Sequence, residues 1–302
     1  MIRGIFMLLL LLVGELCAQS QIQNVGAMKG GTVVLDIGHF MGGEGASAPG
    51  AVNGTILREC EFWYRYAGVV KEVIERAGWN CVVTNRGFAP THEPLAGIAR
   101  KTGVVQLRQP DAGGKRTPSR YHPDRVGSGM VSADYAIWKK AACIVFLHLN
   151  SSGSRWTSAG RSVILCNHFN GRGLASSICR ALDSEVLNHG MPNGGRGCSI
   201  EVRRVDADRA AGWLNACDDS GIPAAVVEAA FVNNRAHAEY LTRDAGARVF
   251  AQAIGHGIVN FLRSGASPRH VRKNENAPDV GSFGYAAESR RLSVPGARRL
   301  LP

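Results

Sequence analysis

Apolar residues along this chain fall into short runs separated by longer amphipathic stretches. Runs with the length and composition of strands occupy 32–36, 80–84, 143–147, 162–166, 199–202 and 224–227. Helical periodicity covers 58–77, 172–188 and 244–262, and the first two stretches stop at Gly78 and Gly190. Strands that are apolar almost throughout are those buried on both faces, and their alternation with helices predicts an α/β fold. The expected architecture is a mostly parallel central sheet with helices on both faces, in a single domain over 30–263. In such sheets the functional crevice lies beyond the carboxyl ends of the strands.

Three segments depart from this pattern. Residues 87–129 are rich in Gly, Pro, Arg and Lys with little periodicity and are expected to form an inserted loop. Residues 264–302 are polar and basic, with Pro268, Pro278 and Pro295, and are expected to be a disordered tail. The first 20 residues carry Arg3, an apolar run over 5–13 and small residues at Ala18 and Ser20, the layout of a cleaved signal peptide. The run is too short to span a bilayer as a helix, so no stable membrane insertion is expected after cleavage. Leu16 precedes Cys17 where a lipoprotein signal wants a small residue. The expected destination is periplasmic or extracellular.

Charge sharpens that picture. Lys and Arg number 35 against 24 Asp and Glu, a net charge of +11 that is unchanged when Arg3 and Glu15 leave with the signal. A polyanionic partner follows, and for an exported protein a cell-wall polymer fits better than nucleic acid. Of eight cysteines, seven remain after Cys17 is lost, and no C-x-x-C pair occurs. Cys81, Cys143, Cys166 and Cys179 lie in apolar runs, where cysteine behaves as a small hydrophobe. Cys198 and Cys217, in loop-like surroundings, are the candidate disulfide.

The candidate chemistry gathers where apolar runs meet polar residues. "TVVLDIGHF" leads to His39, "CIVFLHLN" to His148 and "AAVVEAAF" to Glu228, while Glu59 and Glu61 open the long helix after the first strand. Taken singly, each has an ordinary reading: a histidine satisfied in a turn, a carboxylate favoured by the helix dipole, a buried acid paired with an arginine. A parallel sheet, however, collects its strand ends in one crevice. Two histidines and a carboxylate with an open fourth position form the usual inventory of a hydrolytic zinc site. The helix-borne signature H-E-x-x-H is absent, which argues against the common zinc peptidases.

From about Thr32 to Leu262 the chain resembles the zinc-dependent N-acetylmuramoyl-L-alanine amidases of the type 3 family. "VVLDIGHFMGG" is similar to that family's opening strand and D-P-G-H-G-G turn, and "ILRECEFWYRYAGVVKEVIERAGW" to its glutamate-bearing helix. "VVTNRG" resembles the strand ending in T-R, "FLHLNSS" the S-I-H-x-N motif, and "VVEAAFVNN" the L-V-E-x-G-F-x-x-N motif. Ile37 stands where the family has proline, Phe40 and Met41 interrupt the glycine pair, and Ala230 replaces a glycine.

The resemblance implies one zinc per chain held by His39, Glu59 and His148, with Glu228 as the catalytic carboxylate. It implies that peptidoglycan is the partner and that the bond cleaved joins the lactyl group of N-acetylmuramic acid to L-alanine. Asn150 and Arg155, just past His148, are candidates for substrate binding, Asn150 equally for tying the turn. Asp36 either supports a ligand by accepting a hydrogen bond or is an ordinary strand-end acid. Two other readings stay open: a non-catalytic wall-binding module of the same fold, and a zinc carboxypeptidase anchoring its substrate on Arg155, Arg161 or Arg196.

Overall fold

A computed structural model of the chain describes residues 31–39, 45–86, 90–107, 129–158, 160–166, 170–191, 197–203 and 209–265. These lie within one compact unit, Met1–Arg269. The expected leader, residues 40–44 of the first turn, residues 108–128 of the expected insertion, and the tail beyond Gly265 lie outside the described residues.

Seven strands form one sheet: β1 (Thr32–Ile37), β2 (Asn80–Arg86), β3 (Val105–Leu107), β4 (Cys143–Asn150), β5 (Val163–Cys166), β6 (Ser199–Val202) and β7 (Ala224–Phe231), in the order β3-β2-β1-β4-β7-β5-β6. All neighbours pair in parallel except β5 and β7, which are antiparallel. The helices are α1 (Glu59–Arg76), α2 (Leu95–Thr102), α3 (Gly129–Trp138), α4 (Gly171–Leu182, continued by a π-helical turn to Leu187), α5 (Arg209–Asp219), α6 (Arg235–Leu241) and α7 (Asp244–Arg263).

Because strand side chains alternate between faces, the same strands feed two cores. Val33, Leu35, Val145, Leu147 and Val227 pack with Trp63 of α1, Ile178 of α4 and Phe250 of α7. Their neighbours Val34, Ile144, Phe146 and Val226 pack with Ala133 of α3 and with Trp213 and Leu214 of α5. The expected mostly parallel sheet with helices on both faces is therefore the observed one. Completely burying one side chain such as Phe250 contributes about 1.5–3 kcal/mol, and the central strands β4 and β7 make several apolar contributions on both faces.

The structure corrects three expectations. The stretch 87–129 is not simply a loop, because α2 and β3 fall inside it and β3 extends the sheet through Thr84↔Val105. An eight-residue helix closed by left-handed Gly103 and a three-residue strand are too short to show a period. α3 was also not expected; its sequence, GMVSADYAIW, is apolar around most of its circumference and so carries no stripe. Finally, the disulfide joins Cys198 to Cys179, with Cα atoms 5.1 Å apart, and not to Cys217. Cys217 is a buried free thiol in the core under α5, whereas Cys179 on α4 faces the chain just before β6.

The strands that carry the candidate site run further than their apolar runs. β4 continues through His148 to Asn150 and β7 through Glu228 to Phe231, because the backbone ladder is indifferent to side-chain polarity. His148 and Glu228 are direct register partners.

Candidate metal centre

Glu59 is the best-held group at the site. It opens α1, where the helix dipole favours a carboxylate, and is 2% exposed. No side chain caps this helix. Instead the Glu59 N–H donates to the Ala46 carbonyl at 3.0 Å, while the Ala46 N–H donates to Glu59 Oε2 at 2.7 Å. The Leu149 N–H donates to Oε1 at 3.0 Å, so the carboxylate is pinned between the segment before α1 and the end of β4. Glu61, the alternative at this helix start, points outward and pairs with Arg58 at 3.5 Å.

Both candidate histidines converge on Glu59. His148 Nδ1 lies 2.9 Å from Oε1 and His39 Nε2 lies 3.3 Å from Oε2. The two imidazoles meet edge to face, with centroids 5.0 Å apart. The His148 ring has almost no freedom: Trp213 of α5 stacks on it at 6.3 Å, and a Cβ built on Gly38 would lie only 2.4 Å from its Cε1. That is the physical need for glycine directly before His39. Gly45 (φ +116°) is as constrained, since a Cβ there would sit 3.1 Å from both Glu59 Oε2 and His39 Cδ2.

Charge is strongly redistributed here. Burial alone would raise the Glu59 carboxyl, but hydrogen bonds from His148 and His39 and the attraction of both rings outweigh it and hold the group well below the usual carboxylate range. Burial pulls His148 down, yet the bond to Glu59 and the negative charges of Glu59, Glu228 and Asp36 leave it raised. Glu228 is pushed up to about 7, chiefly by burial; His148 opposes the shift and Glu59 adds to it. A carboxyl poised near neutrality can both take and return a proton.

His148 Nε2 and Glu228 Oε2 are buried without a hydrogen-bond partner among the described residues. Leaving such groups unmatched typically costs about 1–3 kcal/mol each, so their pairing on neighbouring strands marks a place built for something else. One ligand atom each from His39, Glu59 and His148 lie within 4.8 Å of one another, a set that could hold a metal ion. Two imidazoles and one carboxylate are a donor set suited to zinc, and the orphaned nitrogen fits such a group.

The remaining expected residues are placed differently. Asn150 ties its turn, its Oδ1 accepting the Ser151 N–H at 2.7 Å. Arg155 is exposed on the loop after β4, where the Asn233 side chain grips its carbonyl at 2.9 Å as well as that of Gly153. Asp36 is completely buried and accepts hydrogen bonds from Thr84 (3.3 Å) and Ser132, neither of which is a candidate ligand. Arg161 donates to Ser199 Oγ at 3.0 Å, and Arg196 lies outside the described residues. Trp213 and the Ala46 amide are not flagged by the sequence, because no local pattern distinguishes a helix tryptophan or a loop N–H that happens to face the site.

Comparison with known proteins agrees with the fold described above. The profile of the family described as N-acetylmuramoyl-L-alanine amidase matches residues 33–260. Among solved structures, the CwlD amidase from Clostridioides difficile, determined in complex with the GerS lipoprotein, aligns with a TM-score of 0.52 and 18% identity over 78% of this chain and 100% of that one. An N-acetylmuramoyl-L-alanine amidase from Clostridium difficile 630 aligns with a TM-score of 0.51 and 17% identity over 77% of this chain and 97% of that one. At these identities the likeness speaks for a shared fold. No curated protein sequence gives a match.

Proposed function

The chain belongs to the N-acetylmuramoyl-L-alanine amidase family, whose profile spans most of it, and on that premise we propose an exported zinc enzyme that cleaves the amide between N-acetylmuramic acid and the L-alanine of the stem peptide. His39, Glu59 and His148 would hold one zinc ion, and Glu228 would move the proton. The observation that carries this reading is the convergence of the two histidines on Glu59 directly beside Glu228, the register partner of His148.

When bound, zinc supplies Lewis-acid polarisation of the amide carbonyl and lowers the pKa of an attacking water. The protein residues do the rest. Glu59, with both oxygens already occupied by backbone N–H groups, stays ionised and fixed as a donor. Trp213 and Gly38 hold the His148 ring in one orientation. Glu228 takes a proton from the attacking water and returns it to the departing nitrogen of L-alanine, which leaves poorly until protonated. Burial raises its carboxyl towards neutrality, which suits a group that must give back the proton it takes. Arg155, exposed at the carboxyl end of β4, would meet carboxylates of the stem peptide. A leader-like first segment and a net charge of +11 support export to an anionic polymer.

Digestion of purified peptidoglycan followed by mass spectrometry tests the reading. The expected products are stem peptides with a free L-alanine amine and glycan with an intact lactyl carboxylate, and a chelator should abolish both. Release of C-terminal D-alanine with the muramoyl amide left intact would replace this reading with a carboxypeptidase.

A further inference from the structure

We propose that Asn85 is a positioning residue for His39, a latch that fixes the backbone of this ligand, and that Tyr64 anchors the latch; the inference rests on the metal reading above. Of the three candidate ligands His39 most needs outside support. Glu59 and His148 are buried on a helix and a strand, whereas His39 lies past the end of β1 with its side chain 30% exposed. Its backbone is left-handed (φ 61°), a conformation strained for a non-glycine residue, which persists only where surrounding structure enforces it.

Asn85, completely buried on β2, supplies that enforcement. Its Nδ2 donates to the carbonyls of Ile37 (2.8 Å) and His39 (2.7 Å), bracketing the turn through Gly38. Its Oδ1 accepts the Tyr64 hydroxyl at 2.7 Å, and the Tyr64 oxygen accepts Gln106 Nε2 at 3.2 Å. The chain of donors has one direction. The two carbonyls can only accept, so the Asn85 NH2 must face them and its oxygen Tyr64; the Tyr64 hydroxyl spends its proton there and its oxygen is left to accept from Gln106. Reversing the amide would set Oδ1 against two carbonyl oxygens and lose both bonds.

Tyr64 lies on α1, the helix that presents Glu59. The latch therefore refers the backbone of His39 to the same helix that carries the central carboxylate, so two ligands share one frame. Groups that orient metal ligands typically contribute 10–100-fold to metal affinity.

The test is competitive zinc titration of the full chain against a chromogenic chelator, with thermal melting of the metal-free protein and the visible spectrum of its cobalt(II) form. Asn85→Ala should weaken zinc affinity by about 10–100-fold and alter the cobalt spectrum. Tyr64→Phe, which keeps the ring and removes only the hydroxyl, should fall between that variant and the parent. Asn170→Ala, which removes two side-chain hydrogen bonds to Asp218 and none to a candidate ligand, should lower the melting temperature and leave zinc affinity unchanged. If Asn85→Ala does not fold, Tyr64→Phe decides. Parent-like affinity and spectrum in the variants that fold would overturn the latch alone, while a parent protein that binds no zinc would overturn the metal reading and the latch with it.

Discussion

His148 and Glu228 stand opposite one another on adjacent parallel strands, and each buries an atom that no other described group satisfies, Nε2 in the first and Oε2 in the second. A sheet that only had to be stable would not place two unmatched polar atoms on neighbouring register positions. The roles drawn from that pairing, a ligand and a proton carrier, separate under mutation.

Glu228→Gln keeps the size and shape of the side chain and removes its ability to accept a proton. Zinc content and melting temperature should stay near those of the parent, while turnover of muramoyl peptides falls by about 10²–10⁴-fold. Near-parent turnover in a folded, zinc-loaded variant would end the proposed mechanism; loss of zinc would make Glu228 a ligand.

Glu59 and Glu61 differ by two positions and should differ completely in effect. Glu59 is buried against both histidines, and Glu61 sits in a surface pair with Arg58. Metal analysis of Glu59→Ala should find the zinc gone, whereas Glu61→Ala should keep one per chain with stability changed by no more than about 1 kcal/mol.

Gly38→Ala tests the packing around His148. The added methyl would enter the space of the imidazole, and overpacking of this kind costs about 1–3 kcal/mol. Lower melting temperature together with weaker zinc binding is expected; parent values for both would remove the close-contact argument.

Stability should depend on pH in opposite senses with and without metal. Glu228, near 7 in the fold against an ordinary 4.5, favours folding while protonated, so its contribution is complete below about 4.5 and lost by about 7. His148 is raised from 6.5 and favours folding while charged, so its contribution is present below 6.5 and disappears as pH climbs through its folded value. Glu59 is lowered, so its contribution holds above 4.5 and is lost only in stronger acid. Metal-free protein should therefore melt lower as pH rises from about 5 to 8. With zinc present the trend should reverse, since protons compete with metal for the same nitrogens and oxygens. A metal-free melting temperature that rises across this range would contradict the charge assignment.

The Cys179–Cys198 bridge closes a short loop between α4 and β6, and its sequence separation of 19 corresponds to about 3 kcal/mol in the chain-entropy account. Cys198→Ser should lower stability by that order in denaturant unfolding, while Cys217→Ser should leave the disulfide intact by thiol counting.

Much of this was legible in the chain itself. Apolar runs buried on both faces, helical stretches stopped by glycine, and polar residues at matching run ends specified the sheet and put His39, His148 and Glu228 at one end of it, because burial and backbone periodicity are local consequences of residue order. Glu59 and Glu61 were legible for the same reason, as carboxylates at a helix start, and only the family resemblance favoured Glu59. What only the tertiary structure decided are relationships through space. β3 is a strand because β2 is beside it, Cys198 pairs with Cys179 because α4 passes 5.1 Å away between Cα atoms, and Asn85 matters because Tyr64 and the His39 carbonyl meet it from other elements. Such contacts join positions far apart in sequence, and their strength depends on distance and direction, which residue order does not contain.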